Sequence, residues 1–161
     1  MASQGNKIVV KSHDNRPYVE GIISGTDKPG TVMQISPAVE PISGRYTWLN
    51  YDRAADGNRP AGPLAVLVEN WKLGKDATTA YVTGEYCLLW IPQAGEELNM
   101  LVANIAGTGD LFAIGDLLIV DDGTGKLIAT TGTPESEPFM CASTTAALTA
   151  DALMHCFYTG Y

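Results

Sequence analysis

Glycine and proline punctuate this chain from end to end, and that spacing restricts its fold more than any other feature. The 17 glycines and 9 prolines separate short runs rich in Val, Ile, Leu, Thr and Tyr. Runs of this kind bounded by turn-forming residues are the pattern of β-strands. Apolar spacing at three and four residues, which an amphipathic helix needs over ten or twelve positions, is never sustained. The expected fold is therefore all-β, a single small barrel-like or sandwich-like domain. Strands are expected at Tyr18–Ser24, Thr31–Ser36, Arg45–Tyr51, Leu64–Asn70, Tyr86–Ile91, Leu98–Asn104, Asp116–Val120, Lys126–Thr130 and Ala152–Tyr158. Asp116–Ala129 reads most clearly as a hairpin, since Asp121–Gly125 can turn between two apolar runs and Gly123 and Gly125 accept positive φ at low cost. Thr144–Leu153 stays open, because Ala146-Ala147-Leu148 favours a short helix while Thr144, Thr145 and Thr149 favour a loop.

Length and charge narrow the functional classes. At 161 residues the chain matches one domain, and a domain of this size buries roughly 70% of the surface its unfolded chain exposes. Its 45% apolar content supplies that core without a metal or a disulfide. Ten basic against eighteen acidic residues give a net charge of −8, and the basic ones are scattered singly. A phosphate backbone needs clustered Lys and Arg, so direct nucleic-acid binding is not expected and protein partners are. Cys87, Cys141 and Cys156 have no CxxC or Cys/His ligand spacing and read as buried, reduced thiols. Met1–Lys11 lacks the apolar core of a signal peptide, and no run approaches the roughly 18 apolar residues of a membrane helix.

The first seventeen residues differ from the rest. Ser3-Gln4-Gly5-Asn6 is polar and small, Lys7-Ile8-Val9-Val10-Lys11 is β-prone, and His13-Asp14-Asn15-Arg16-Pro17 reads as a turn. The division expected is an extended N-terminal arm over 1–17 and a β domain over 18–161. Three β-branched residues in a row would be poorly placed in a free tail. Lys7, Ile8, Val9, Val10 and Lys11 are therefore the expected partner-binding residues, adding a strand to a sheet edge of a neighbouring subunit or of another protein.

Catalytic chemistry finds few candidates. Only His13 and His155 could act as an imidazole base. In an alternating strand Cys156 points away from the face that carries His155, so the adjacent pair cannot be a dyad. His155 reads as a hydrogen-bonded structural residue, although a small hydrolase built on it is one class to test. Glu96-Glu97 after Gly95, and Glu135 with Glu137 around Ser136, pair carboxylates as glycosidases do, but their flanks look like turns and acids there usually serve solubility. Asp121–Gly125 lacks the alternating ligands and later Glu of a calcium loop. No GxGxxG, GxxxxGK[ST] or HExxH occurs, so the starting motifs for nucleotide and zincin chemistry are missing. Trp48, Trp71 and Trp90 could stack on sugars or bases, but Trp48 and Trp90 alternate with polar or small neighbours and read as core or interface packing. No catalytic residue, metal or cofactor is assigned.

Three segments, in order, carry a resemblance. Tyr18-Val-Glu-Gly-Ile-Ile23 leads through Lys28-Pro-Gly-Thr-Val-Met-Gln-Ile35. Pro63-Leu-Ala-Val-Leu-Val-Glu-Asn70 is followed by Gly74-Lys75, Ala80-Tyr81 and Gly84-Glu85, then by the apolar run Tyr86–Pro92 and a turn at Gly95–Glu97. Ala113-Ile-Gly-Asp-Leu-Leu118 precedes Asp122-Gly123 and Gly125-Lys126-Leu127. In this layout the chain resembles the head decoration, or capsid cement, proteins of tailed bacteriophages. It departs from them at Glu40–Trp48, which reads as an insertion, and in its last strand, which is neither basic nor valine-rich. The resemblance implies a non-enzymatic homotrimer on the outer surface of the virion capsid, made in the host cytoplasm. It would bind the major capsid protein at capsomer junctions and strengthen the head against packaged DNA. The alternative is a head-fibre or carbohydrate- or receptor-binding module on the virion surface.

Overall fold

A strand with both faces buried must be apolar at every position, whereas one with a wet face alternates. Ala65-Val66-Leu67-Val68 is of the first kind, and all four residues are buried. The computed structural model describes residues 7–12, 16–36, 44–51, 63–104, 112–121, 123–129, 139–144, 148 and 150–160. Within them the chain is all-β, with strands β1 (Val9–Lys11), β2 (Val19–Ile23), β3 (Val32–Ile35), β4 (Thr47–Asn50), β5 (Ala65–Val68), β6 (Tyr86–Trp90), β7 (Glu97–Val102), β8 (Leu117–Val120), β9 (Leu127–Ala129), β10 (Phe139–Cys141) and β11 (Ala152–Tyr158). A 3-10 turn, Trp71–Leu73, follows β5. Of the segment for which the sequence leaves helix and loop open, Ala152 and Leu153 begin β11, while 145–147 and 149 lie outside the described residues. The sequence reading also passed over β10, only three residues long and entered through the polar, proline-containing stretch Thr133–Pro138.

The strands close into two rings. The first is a barrel in the order β2-β4-β3-β5-β6. The second is a sheet in the order β1-β7-β11-β10-β8-β9, in which β9 returns to pair with β7 through Val102 and Leu127. Closure hides backbone groups that an open sheet would leave at its edges. The expected hairpin is β8 and β9, with Val120 opposite Leu127 and Ile119 opposite Ile128.

Two cores result, and they share a wall. Inside the barrel, Ile23, Met33, Trp48, Leu67, Tyr81, Cys87 and Leu89 pack together. On the other side of the same wall, Val32, Val66 and Trp90 stand side by side across β3, β5 and β6. They pack with Leu98, Met100, Val102, Leu118, Phe139 and Cys156 of the second sheet. Each fully buried side chain of this size contributes about 1.5–3 kcal/mol relative to exposure.

Backbone hydrogen bonds stitch the two rings where side chains are too small to hold them apart. Gly30 donates its N–H to Leu67 O (2.8 Å) and accepts the N–H of Leu101 (3.0 Å), and Val32 donates to Gly125 O (2.7 Å). Only glycine fits at position 30: φ is +93°, and a Cβ there would stand 2.9 Å from Leu101 N and 3.3 Å from Asn99 O. Gly30→Ala is thus expected to destabilise the protein by more than about 2 kcal/mol, from left-handed strain together with the clash. Gly74→Ala, at φ +69° in open space, should cost only the strain, about 1–2 kcal/mol. Urea melts of both variants check this, and equal midpoints would show that the close approach at Gly30 carries no weight.

Candidate functional site

The described residues with catalytic potential are His155, the three cysteines, Glu96 and Glu97. His155 Nε2 lies 3.1 Å from Glu97 Oε2, and Lys11 Nζ lies 3.4 Å from the other oxygen of that carboxylate. Glu97 thus ties β11, β7 and β1 at one edge. Cys156 occupies the opposite, fully buried face, as alternation requires. All three cysteines are free and buried. Burial pushes the Cys87 thiol up to about 12 and Cys141 up to about 11, the latter helped by the charge of Asp116, and drives Cys156 upward too. None is a thiolate at neutral pH, so none is an activated nucleophile. Among the described residues no cluster of His, Cys, Asp and Glu is placed to hold a metal ion. His13, Asp14, Asp122, Glu135, Ser136 and Glu137 lie outside the described residues.

Glu96 departs most from its sequence reading. An acid in a Gly-Glu-Glu turn was expected to be solvated, yet it is 0% exposed. Its Oε2 accepts from Trp90 Nε1 (2.8 Å) and from the N–H of Gln93 (2.9 Å), and its Oε1 is paired with the Arg16 guanidinium. Arg16 also donates to Ile91 O (2.9 Å) and sits 4.6 Å over the Trp90 ring. Burial works to raise the Glu96 carboxyl, but the donors from Gln93, Trp90 and Arg16 outweigh it and hold the group below the ordinary glutamate range. This is a buried anion that anchors the chain between β1 and β2 onto the β6–β7 turn.

The stretch Lys7–Lys11, expected to add a strand to a neighbour, adds one within its own chain. Val9 pairs with Leu98 and Lys11 with Glu97, across a register shift. Ile8 is wholly buried, its N–H donating to Glu69 Oε1 (2.8 Å) and its carbonyl accepting from Asn99 N (2.7 Å). Val10 and Lys11 remain exposed.

What the surface offers is an aromatic face on the barrel. In the β2–β6 ladder Glu20 stands opposite Leu88 and Ile22 opposite Tyr86, so these side chains share the outward side of the wall. Arg45 lies 5.1 Å over the Tyr86 ring and donates twice to Glu20 Oε2 (3.0 and 2.8 Å). Tyr46 and Tyr86 are each 52% exposed. Beside this face the 3-10 turn projects from the body, closed at its base by reciprocal bonds between Asn70 and Lys75 (2.8 and 3.0 Å) and at its end by left-handed Gly74. The turn buries none of its side chains, and Trp71 is 69% exposed. Between Trp71 and the ladder lies a cleft of about 310 Å³. The sequence placed Trp48 and Trp90 in the core, where they are; the projecting Trp71 is marked only by its setting of Asn70, Lys72 and Gly74 in a turn.

No protein-family model matches the chain, and no curated protein is significantly similar to it. No helix among the described residues is long and apolar enough to cross a membrane.

The Glu96 site sets a pH dependence. A carboxyl held low in the folded state stabilises the fold above its unfolded pKa, and that stability is lost as pH falls through the folded value. Glu96→Gln should flatten this part of the acid-unfolding curve. Arg16→Met should cost about 3 kcal/mol at pH 7 by leaving the buried charge without its cation. Combining the two substitutions should restore part of that loss. Chemical melts at pH 7 and pH 4 give the comparison, and full additivity of the two losses would contradict a coupled pair.

Proposed function

We propose that the chain is a structural capsid decoration protein: a homotrimer that binds the major capsid protein on the outside of a mature phage head, at capsomer junctions, and stabilises the shell against internal DNA pressure. The observation that carries this reading is the exposed Tyr86 on the barrel wall with Arg45 laid over its ring and bonded to Glu20. Tyrosine and arginine dominate the energetic centres of protein interfaces, because they bury much area at low entropic cost and retain a polar handle. Setting them on a closed sheet avoids most of the ordering cost of binding.

Other features point the same way. The three segments that resemble the decoration family coincide with structural units here, namely β2 with β3, β5 with β6, and the β8–β9 hairpin. A net charge of −8 disfavours contact with DNA and leaves protein as the partner. Among the described residues, His155, Glu96 and Glu97 pin strands together and the three cysteines pack the cores. Three copies on one lattice would gain avidity, since the second and third contacts form at high effective concentration, and only a fully expanded shell would space the sites correctly.

Binding of the purified protein to undecorated expanded heads tests the proposal. The expected results are trimers by light scattering, saturable binding, and a higher temperature of DNA release from decorated heads. Arg45→Ala with Tyr86→Ala should weaken head binding at least about tenfold, a loss of about 1.4 kcal/mol, at unchanged melting temperature. His155→Ala should bind as the parent does. Identical DNA-release temperatures with and without the protein would refute the cement role, and monomers both free and on the shell would refute the trimer.

A further inference from the structure

The cleft beside the 3-10 turn has the composition of a ligand site, and nothing in the head-binding proposal uses it. Its apolar part is the exposed Trp71 indole with the Tyr18 ring and Leu88. Its polar part is less ordinary. Asn70 is 8% exposed and Glu69 is 9% exposed, and both line the cleft. The backbone N–H and carbonyl of Asn70 are taken by Lys75, while its side-chain amide caps nothing and makes no hydrogen bond to the described residues. Glu69 spends Oε1 on the N–H of Ile8 and leaves Oε2 without a partner there. An unpaired amide beside an unpaired carboxylate oxygen at a cleft wall leaves both donor and acceptor capacity open to a ligand.

We propose that this cleft binds a neutral hexopyranose unit, free or as part of a glycan. A pyranose presents an apolar face of C–H groups and a rim of hydroxyls that both donate and accept. The first matches the Trp71 indole, and the second matches an acceptor-only carboxylate oxygen next to an amide that offers both roles. The charge balance selects a neutral ligand: the two lysines and two glutamates that line the cleft cancel, so neither a phosphate nor a carboxylate sugar is favoured. Partial burial, with the charge of Glu69 added, pushes the Tyr18 hydroxyl above its ordinary value. It therefore stays neutral and able to donate. The site is mostly pre-formed, because the turn is pinned by the Asn70–Lys75 bridge and Glu69 by Ile8, so little ordering is required on binding.

The three tryptophans separate cleanly, since Trp48 and Trp90 are buried and Trp71 is not. Indole fluorescence of the full chain, titrated with methyl β-D-glucopyranoside, methyl β-D-galactopyranoside and methyl α-D-mannopyranoside and with oligosaccharides of each, should change saturably with at least one of them. Calorimetry of variants then localises the binding. Trp71→Ala and Glu69→Gln should each weaken it at least about tenfold, equivalent to about 1.4 kcal/mol. Leu73→Ala, on the same turn but outside the cleft, should leave it unchanged, and Trp71→Ala should still bind heads. Absence of saturation by every neutral saccharide up to its solubility limit would overturn the proposal. So would binding that survives both Trp71→Ala and Glu69→Gln, or a preference for glucose 6-phosphate, sialyllactose or a proline-rich peptide over the neutral sugars.

Discussion

Strand β5 has no solvent face, and the rest of the molecule is arranged around that fact. Ala65 and Leu67 point into the barrel, Val66 and Val68 into the second sheet, and Val32 and Trp90 extend the latter row across β3 and β6. One wall therefore serves two cores, and neither ring can be removed without exposing the back of the other. This is how a chain of short strands, each worth little alone, reaches cooperative burial. It also explains the exchange of backbone bonds at Gly30 and Gly125, where the two rings approach more closely than side chains would allow.

The start of the chain is held by polar contacts inside this apolar frame. Arg16 neutralises Glu96, Glu69 accepts from Ile8, and Asn99 grips the carbonyls of Lys7 and Ile8. A buried ion pair contributes little net stability compared with apolar packing, but breaking it is costly, so such groups act mainly to specify one arrangement. Here they set where residues 7–12 and Arg16 lie along β6 and β7. The half-buried His155–Glu97 contact, extended to the exposed Lys11, repeats the theme at the rim, where water and salt make it weaker.

A pre-formed surface of this kind fits the docking role proposed above, since little ordering is required on binding. Tyr86 stands on a ladder whose reverse is packed core, with Arg45 laid over its ring, and Trp71 stands on a turn closed at both ends. The two features are neighbours, joined through Glu20, which pairs with Arg45 on one side and lines the cleft on the other. Protein docking and sugar binding would thus use adjacent parts of one face.

How much of this was legible beforehand follows the range of the forces involved. The all-β class, nine of the strands, the β8–β9 hairpin, the core positions of Trp48 and Trp90 and the opposed faces of His155 and Cys156 all rest on local rules, namely turn residues and the period of two, which each segment carries in itself. Closure into two rings was not legible, because pairings such as β7 with β11 or β3 with β5 join segments far apart whose apolar patterns are interchangeable. Position 96 shows the limit most sharply: Gly95-Glu96-Glu97 reads as a wet turn, and burial of Glu96 rests on Trp90 and Gln93 together with an arginine 80 residues earlier. Ile8-Val9-Val10 likewise announced a need for a sheet edge, but which edge was beyond its composition. The sequence by itself determined what each short segment could become; which segments meet, and hence which polar side chains are sealed in and which aromatics face water, depended on tertiary contacts, because burial is a property of the whole assembled surface and not of any window along the chain.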